Sequence, residues 1–95
     1  MKTKLLAIVI KETDNVATAL AEFRAGQLVT VAIGEEERKV ALKSDIRFLH
    51  KFALEDIKAG QKIIKYGQVI GEATGRIQKG EHVHIHNMCS LRGRA

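Results

Sequence analysis

At 95 residues the chain is long enough for one domain with a single core and too short for two. It is 45% hydrophobic, 28% charged and only 4% aromatic, which fits a soluble globular protein whose core is built from Ile, Val, Leu and Ala. The net charge of +5 favours anionic partners, but the cations are spread from Lys2 to Arg94 without a dense run. With one tyrosine and three phenylalanines for base stacking, nucleic-acid binding is not expected.

In chain order, "MKTKLLAIVIKE" imitates a secretory signal. Its apolar run, Leu5 to Ile10, is shorter than a secretory core, meets Lys11 and Glu12, and has no small-residue cleavage site. No stretch has the length of a membrane span. A single cysteine, Cys89, excludes an internal disulfide and has no evident base to make it a nucleophile. The expected location is the cytoplasm, away from membranes.

The segments 4–10, 27–33, 39–42, 61–66 and 81–86 read as strands, rich in β-branched residues. Segment 17–26, "ATALAEFRAG", suits either a helix or a strand entering a turn. "TDNVA" sets Asp14 and Asn15 between apolar runs, where a turn with a side-chain cap is the simplest reading. With no proline, glycine supplies the bends. "GQVIGEATG" lacks the lysine and hydroxyl of a phosphate loop. Arg92 and Arg94 read as part of a basic tail.

A weak repeat links "AEFRAGQLV" (21–29), "EDIKAGQKI" (55–63) and "GRIQKGEHV" (75–83). Each holds an apolar anchor (Phe23, Ile57 or Ile77), a glycine three residues later, a polar residue and then a strand. The pattern predicts single helical turns that plug the core, with left-handed glycines launching strands. The implied domain is irregular and mainly β.

Near the end, "GEHVHIHN" places His82, His84 and His86, three of the four histidines, on alternate positions. On a strand these rings share one face while Val83 and Ile85 face the core. At about 3.3 Å of rise per residue the outer pair would lie about 13 Å apart, so one metal ion would take two of them easily. Its other ligands would come from elsewhere in the chain. Hydrogen bonding or proton transfer is the equal alternative. His50 and Lys51 combine a base and a cation, but on a strand neighbours point to opposite faces.

"TDNVATAL" and "HKFALEDIKAGQKIIKYGQVIGEATGRIQKGEHVHIHN", in this order, resemble the SAF-type domain of the altronate dehydratase family. That family includes galactarate dehydratase and sulfolactate sulfo-lyase. The resemblance runs from about Thr13 to Asn87 and is densest in "KYGQVIG" and "HVHIHN", while "AIGEEERKVALKSD" matches loosely. It implies a β-clip fold, mainly β, with bent hairpins and short single-turn helices. One SAF-type domain would span 1–95, with an ordered core over about 3–87 and a basic tail over 88–95.

The resemblance further implies the small subunit of a sugar-acid dehydratase, working with a separate large catalytic subunit on an anionic sugar acid. A homo-oligomer is also compatible with it. Water would leave a 2,3-dihydroxy acid to give a 2-keto-3-deoxy acid, assisted by a divalent metal, iron or manganese. That metal would rest on His82, His84 and His86 or mainly on the large subunit. Carried over by position, His50, Lys51, His84 and His86 are catalytic candidates, and Asp14, Asn15 and Tyr66 are substrate-binding candidates. The rivals are a sulfolactate sulfo-lyase small subunit and a non-catalytic carbohydrate-binding or assembly module. One departure stands out: the family has glycine before its "HK" pair, where this chain has Leu49.

Overall fold

A computed structural model describes residues 7–9, 12–33 and 36–90. Nine strands occur among them: β1 (Ala7–Ile8), β2 (Val16–Ala19), β3 (Leu28–Ile33), β4 (Glu36–Ala41), β5 (Lys51–Ala53), β6 (Lys62–Lys65), β7 (Gln68–Ala73), β8 (His82–Val83) and β9 (Met88–Ser90). Six form a mixed sheet in the order β4-β3-β1-β2-β5-β8, with β1 and β3 parallel. The antiparallel strands β6-β7-β9 form a second sheet. The domain is mainly β, as the sequence implied.

Alternation explains both the strands and the division of the core. Val29, Val31 and Ile33 of β3 are buried between more exposed neighbours. β4, whose "EERK" start is exposed, forms the charged sheet edge. β2 and β5 serve two cores at once. Ala17 and Phe52, directly paired, face one apolar cluster with Phe23, Val31 and Ile46. Val16 and Ala53, also paired, face the other with Ile57, Ile63, Ile77 and Val83.

The repeat has a fourth copy that the sequence concealed. "SDIRFLHKF" (44–52) aligns with the other three, with Ile46 as anchor, Leu49 in the glycine position and His50 in the polar position. The copies pair through bridges, Phe23 with Ile46 and Ile57 with Ile77. All four take left-handed backbone at the same place: φ is 94° at Gly26, 68° at Leu49, 84° at Gly60 and 89° at Gly80. Each of these residues donates its N–H to a neighbouring carbonyl, of Leu42, Ala19, Ala73 and Ala53 respectively.

These turns correct the expected single-turn helices, since no helix occurs among the described residues. The following N–H reaches back only to the residue three earlier, as in Gln27 to Arg24 and Gln61 to Lys58, which closes a β-turn. The bond to an outside carbonyl then takes the donor that a helix would need.

Two further expectations change. Met88–Ser90, read as the start of a basic tail, pairs with β7 as Gly71↔Ser90, Glu72↔Cys89 and Ala73↔Met88. Arg92 and Arg94, like residues 3–6, lie outside the described residues. The strand expected over 81–86 stops at Val83, and residues 84–87 form a turn. Ile85, expected to face the core, is 81% exposed. No helix of the described residues is long and apolar enough to cross a membrane.

Candidate functional site

The second turn copy and the 84–87 turn bring four imidazoles together. Strand β8 pairs with β5, setting Phe52 opposite His82 and Lys51 opposite Val83. This register places His50, at the entrance to β5, against the histidine segment. The His50 ring lies 5.1 Å from that of His82 and 4.8 Å from that of His84, and His82 lies 5.3 Å from His84. His82 and His86 are 5.4 Å apart, ring to ring, far closer than an extended strand allows. The turn after Val83 folds the chain back and removes the linear spacing expected for the outer pair.

Asn87 holds that turn. Its Oδ1 accepts the His84 N–H at 2.9 Å, and its Nδ2 donates to the His82 carbonyl at 2.8 Å. The Asn87 N–H also donates to the His84 carbonyl, and its own carbonyl accepts from Thr74 at the end of β7. Both ends of the histidine segment are thereby tied down. Asn87 was not singled out in the sequence; its place at the end of "HVHIHN" was the available signal.

His50 is free to join because it does not cap its own turn. In the other copies, Gln27, Gln61 and Glu81 fold back so that a side-chain oxygen accepts the N–H of Arg24, Lys58 and Gln78. At the equivalent position His50 instead sets Nδ1 2.9 Å from Nε2 of His82. One proton lies between the two nitrogens, so one ring donates and the other accepts.

The surroundings favour neutral rings at His82 and His84. Burial, then the charges of His50, His84, His86 and Lys51, pushes His82 from 6.5 down to about 4. His84 is also lowered, by desolvation first and then by His50, Lys51 and His86. Lys51 is lowered by burial and by Lys65. Neutral imidazole is the metal-binding and proton-accepting form.

One ring nitrogen from each of His50, His82 and His84 lies within 4.8 Å of the others, a spacing that suits three ligands of one ion. The set takes His82 and His84 as the neighbouring pair and draws the third ligand from His50, 32 residues earlier. His86 stays outside it, its ring tilted by 34° against that of His82.

Lys51 and Tyr66 adjoin through β2. Thr18 pairs with Lys51, and the Tyr66 hydroxyl is 3.5 Å from the Thr18 hydroxyl. Lys65 places its ammonium 4.9 Å from the centre of the Tyr66 ring. Strand alternation puts Lys51 on the Thr18 and Val83 face, opposite to His82, yet its charge acts on both His82 and His84. The result is a cation and a phenol near the imidazole cluster.

Asp14 and Asn15 are buried and work inside the fold. The Asp14 carboxylate accepts the N–H groups of Tyr66 at 3.0 Å and Gly67 at 2.7 Å. Those two residues, with φ of 55° and 75°, form the tight hairpin turn between β6 and β7. Asn15 accepts from the Ile64 N–H and donates to the Lys62 carbonyl. Asp14 therefore positions Tyr66 through the backbone. A separate open concavity of about 810 Å³, lined by Glu22, Arg24, Asp45 and Arg47 among others, contains none of the histidines.

Comparison with known proteins places these features in a family. Residues 5–91 match the altronate/galactarate dehydratase SAF domain. The chain is 46% identical over 80 residues to an altronate dehydratase of Escherichia coli, covering 84% of this chain and 15% of that protein. It is 41% identical over 80 residues to the Bacillus subtilis altronate dehydratase, again covering 15% of that protein. It is 34% identical over 82 residues to (2R)-sulfolactate sulfo-lyase subunit alpha of Chromohalobacter salexigens, covering 83% of this chain and 87% of that subunit. The chain belongs to the altronate/galactarate dehydratase SAF domain family, and its relatives are dehydratases and lyases.

Proposed function

We propose that this domain supplies histidines and cations to the active site of an altronate-type dehydratase, acting with a larger catalytic polypeptide. The observation that carries the reading is the meeting of His50 with His82 and His84 in a domain of this family. His50, His82 and His84 would hold a divalent ion, iron or manganese. When bound, that ion would stabilise the negative charge that develops beside the substrate carboxylate.

The chain's own groups do the rest. Lys51 and Lys65 attract the sugar-acid carboxylate, and the Tyr66 hydroxyl hydrogen-bonds to it or to a neighbouring hydroxyl. In the elimination the C2 hydrogen leaves as a proton, the C2–C3 double bond forms, and the C3 hydroxyl departs as water after taking a proton. The enol then becomes the 2-keto-3-deoxy acid. His86, outside the three-histidine set, is the imidazole left to carry a proton. Mixing the chain with the matching larger polypeptide should give altronate dehydration that neither piece gives alone. Turnover by this chain unaided would overturn the two-component reading.

A second reading rests on the sulfo-lyase relatives, to whose alpha subunits the chain is 34% and 40% identical. By this reading sulfite leaves in place of hydroxide. Assaying altronate and (2R)-sulfolactate with the same reconstituted pair separates the two readings.

A further inference from the structure

Among the four turn copies, the second departs at every tip position. Where the others carry Ala25-Gly26-Gln27, Ala59-Gly60-Gln61 and Lys79-Gly80-Glu81, it carries Phe48-Leu49-His50. His50 is explained by the imidazole cluster, but Phe48 and Leu49 have no such role. Both are large, apolar and more than half exposed, at 54% and 56%. Leu49 also holds φ at 68°, a left-handed backbone that disfavours a branched side chain and that glycine adopts freely. The backbone bond to Ala19 does not explain the leucine, since a glycine would make it as well.

The other side of the cluster repeats the theme. Ile85, between His84 and His86, is 81% exposed in a turn that Asn87 holds firmly. Because His50 and His84 are 4.8 Å apart ring to ring, Leu49 and Ile85 flank the same imidazoles from two segments of the chain. A strained, exposed apolar residue beside a chemical centre indicates a surface shaped for something outside the domain. The relatives show what lies outside: the altronate dehydratases continue for some 85% of their length beyond the part this chain matches.

We propose that Phe48, Leu49 and Ile85 form a docking rim for the polypeptide that corresponds to the remainder of altronate dehydratase, closing it over the histidines. This rests on the reading of the domain as part of a two-component lyase. Docking here buries the apolar tips and excludes water from the imidazoles in one step. It also leaves the Lys51 and Tyr66 side as the way in for an anionic substrate.

The test uses the full chain and, as probe, the purified polypeptide of the same organism that matches altronate dehydratase outside the SAF region. Leu49→Gly should raise the chain's Tm, because glycine suits this backbone, and yet weaken binding to the probe about tenfold or more. Phe48→Ser and Ile85→Ser should each weaken binding comparably with little change in Tm. Leu28→Ser removes an equally exposed apolar side chain on the first copy and should bind as wild type. Unchanged affinity in the three rim variants, an equal loss in Leu28→Ser, or no binding by the wild-type chain overturns the docking rim. A wild-type complex that turns over neither acid, while the rim variants still lose affinity, overturns the lyase reading and leaves the rim standing.

Discussion

The imidazoles of His50 and His82 meet through Nδ1 and Nε2 at 2.9 Å, although the residues come from different elements, 32 positions apart. The contact needs a single shared proton, so protonating both rings breaks it and sets two charges side by side. His84 and Lys51, which also act on His82, add to that cost.

Acid should therefore loosen the domain. His82 titrates at about 4 when folded and near 6.5 when exposed, so the folded chain binds fewer protons than the unfolded chain between these values. Stability then rises with pH across that window and is lost as pH falls through it. Urea midpoints at pH 4, 5, 6 and 7 should show the slope, and His82→Gln should flatten it. A variant slope equal to that of wild type would assign the effect to other groups.

Metal binding should depend on three of the four histidines. Titration with Mn²⁺ should give an affinity that His50→Ala, His82→Ala and His84→Ala each reduce by about 10- to 100-fold, with a smaller effect from His86→Ala. Equal losses at all four positions would count against the His50, His82 and His84 set.

Asn87→Ala removes two side-chain bonds from the histidine turn. A loss of about 1–3 kcal/mol in unfolding free energy is expected, with the His84 ring signals shifting most in NMR spectra. Weaker metal binding should accompany it even though Asn87 supplies no ligand.

Asp14→Ala leaves the Tyr66 and Gly67 N–H groups without their acceptor in the hairpin turn. Chemical denaturation should show a cost of about 2–3 kcal/mol, only partly restored by Asp14→Asn, whose single Oδ1 replaces one of the two carboxylate acceptors while its Nδ2 faces the other N–H. In the reconstituted enzyme, displaced Tyr66 should raise KM more than it lowers kcat.

Glycine replacement should separate conformational strain from crowding. Gly26→Ala and Gly60→Ala meet open space and bear only the left-handed backbone, at about 1 kcal/mol each. Gly80→Ala also drives a methyl group into the Ala41 carbonyl oxygen and should cost clearly more. Matched melting curves of the three variants test this order.

How far the sequence could be read follows from where local chemistry was decisive. Phe23, Ile57 and Ile77 were recognisable as core plugs because a glycine and a polar cap stood at fixed distances behind them. The fourth plug, Ile46, escaped notice because Leu49 and His50 occupy the two marker positions. The histidine grouping was visible in "HVHIH", but its geometry was misjudged. Strand alternation assumes that the ladder continues, and here β5 offers β8 only two partners before Asn87 turns the chain. The joining of His50 was suggested only by the family resemblance, because its geometry depends on the register of β5 with β8. Asp14 and Asn15 were read as a local turn with its own cap, whereas their side chains bond the backbone of the distant β6–β7 hairpin, which local chemistry cannot reveal.

The self-capped turns also bear on how such a site arises. Three of the four corners keep a left-handed glycine and an internal side-chain oxygen clasp, so the architecture is secured in triplicate. That redundancy frees the remaining corner to change its residues without dismantling the domain. Novel specificity in relatives of this scaffold should accumulate at that one corner, while the other three stay close to their common design.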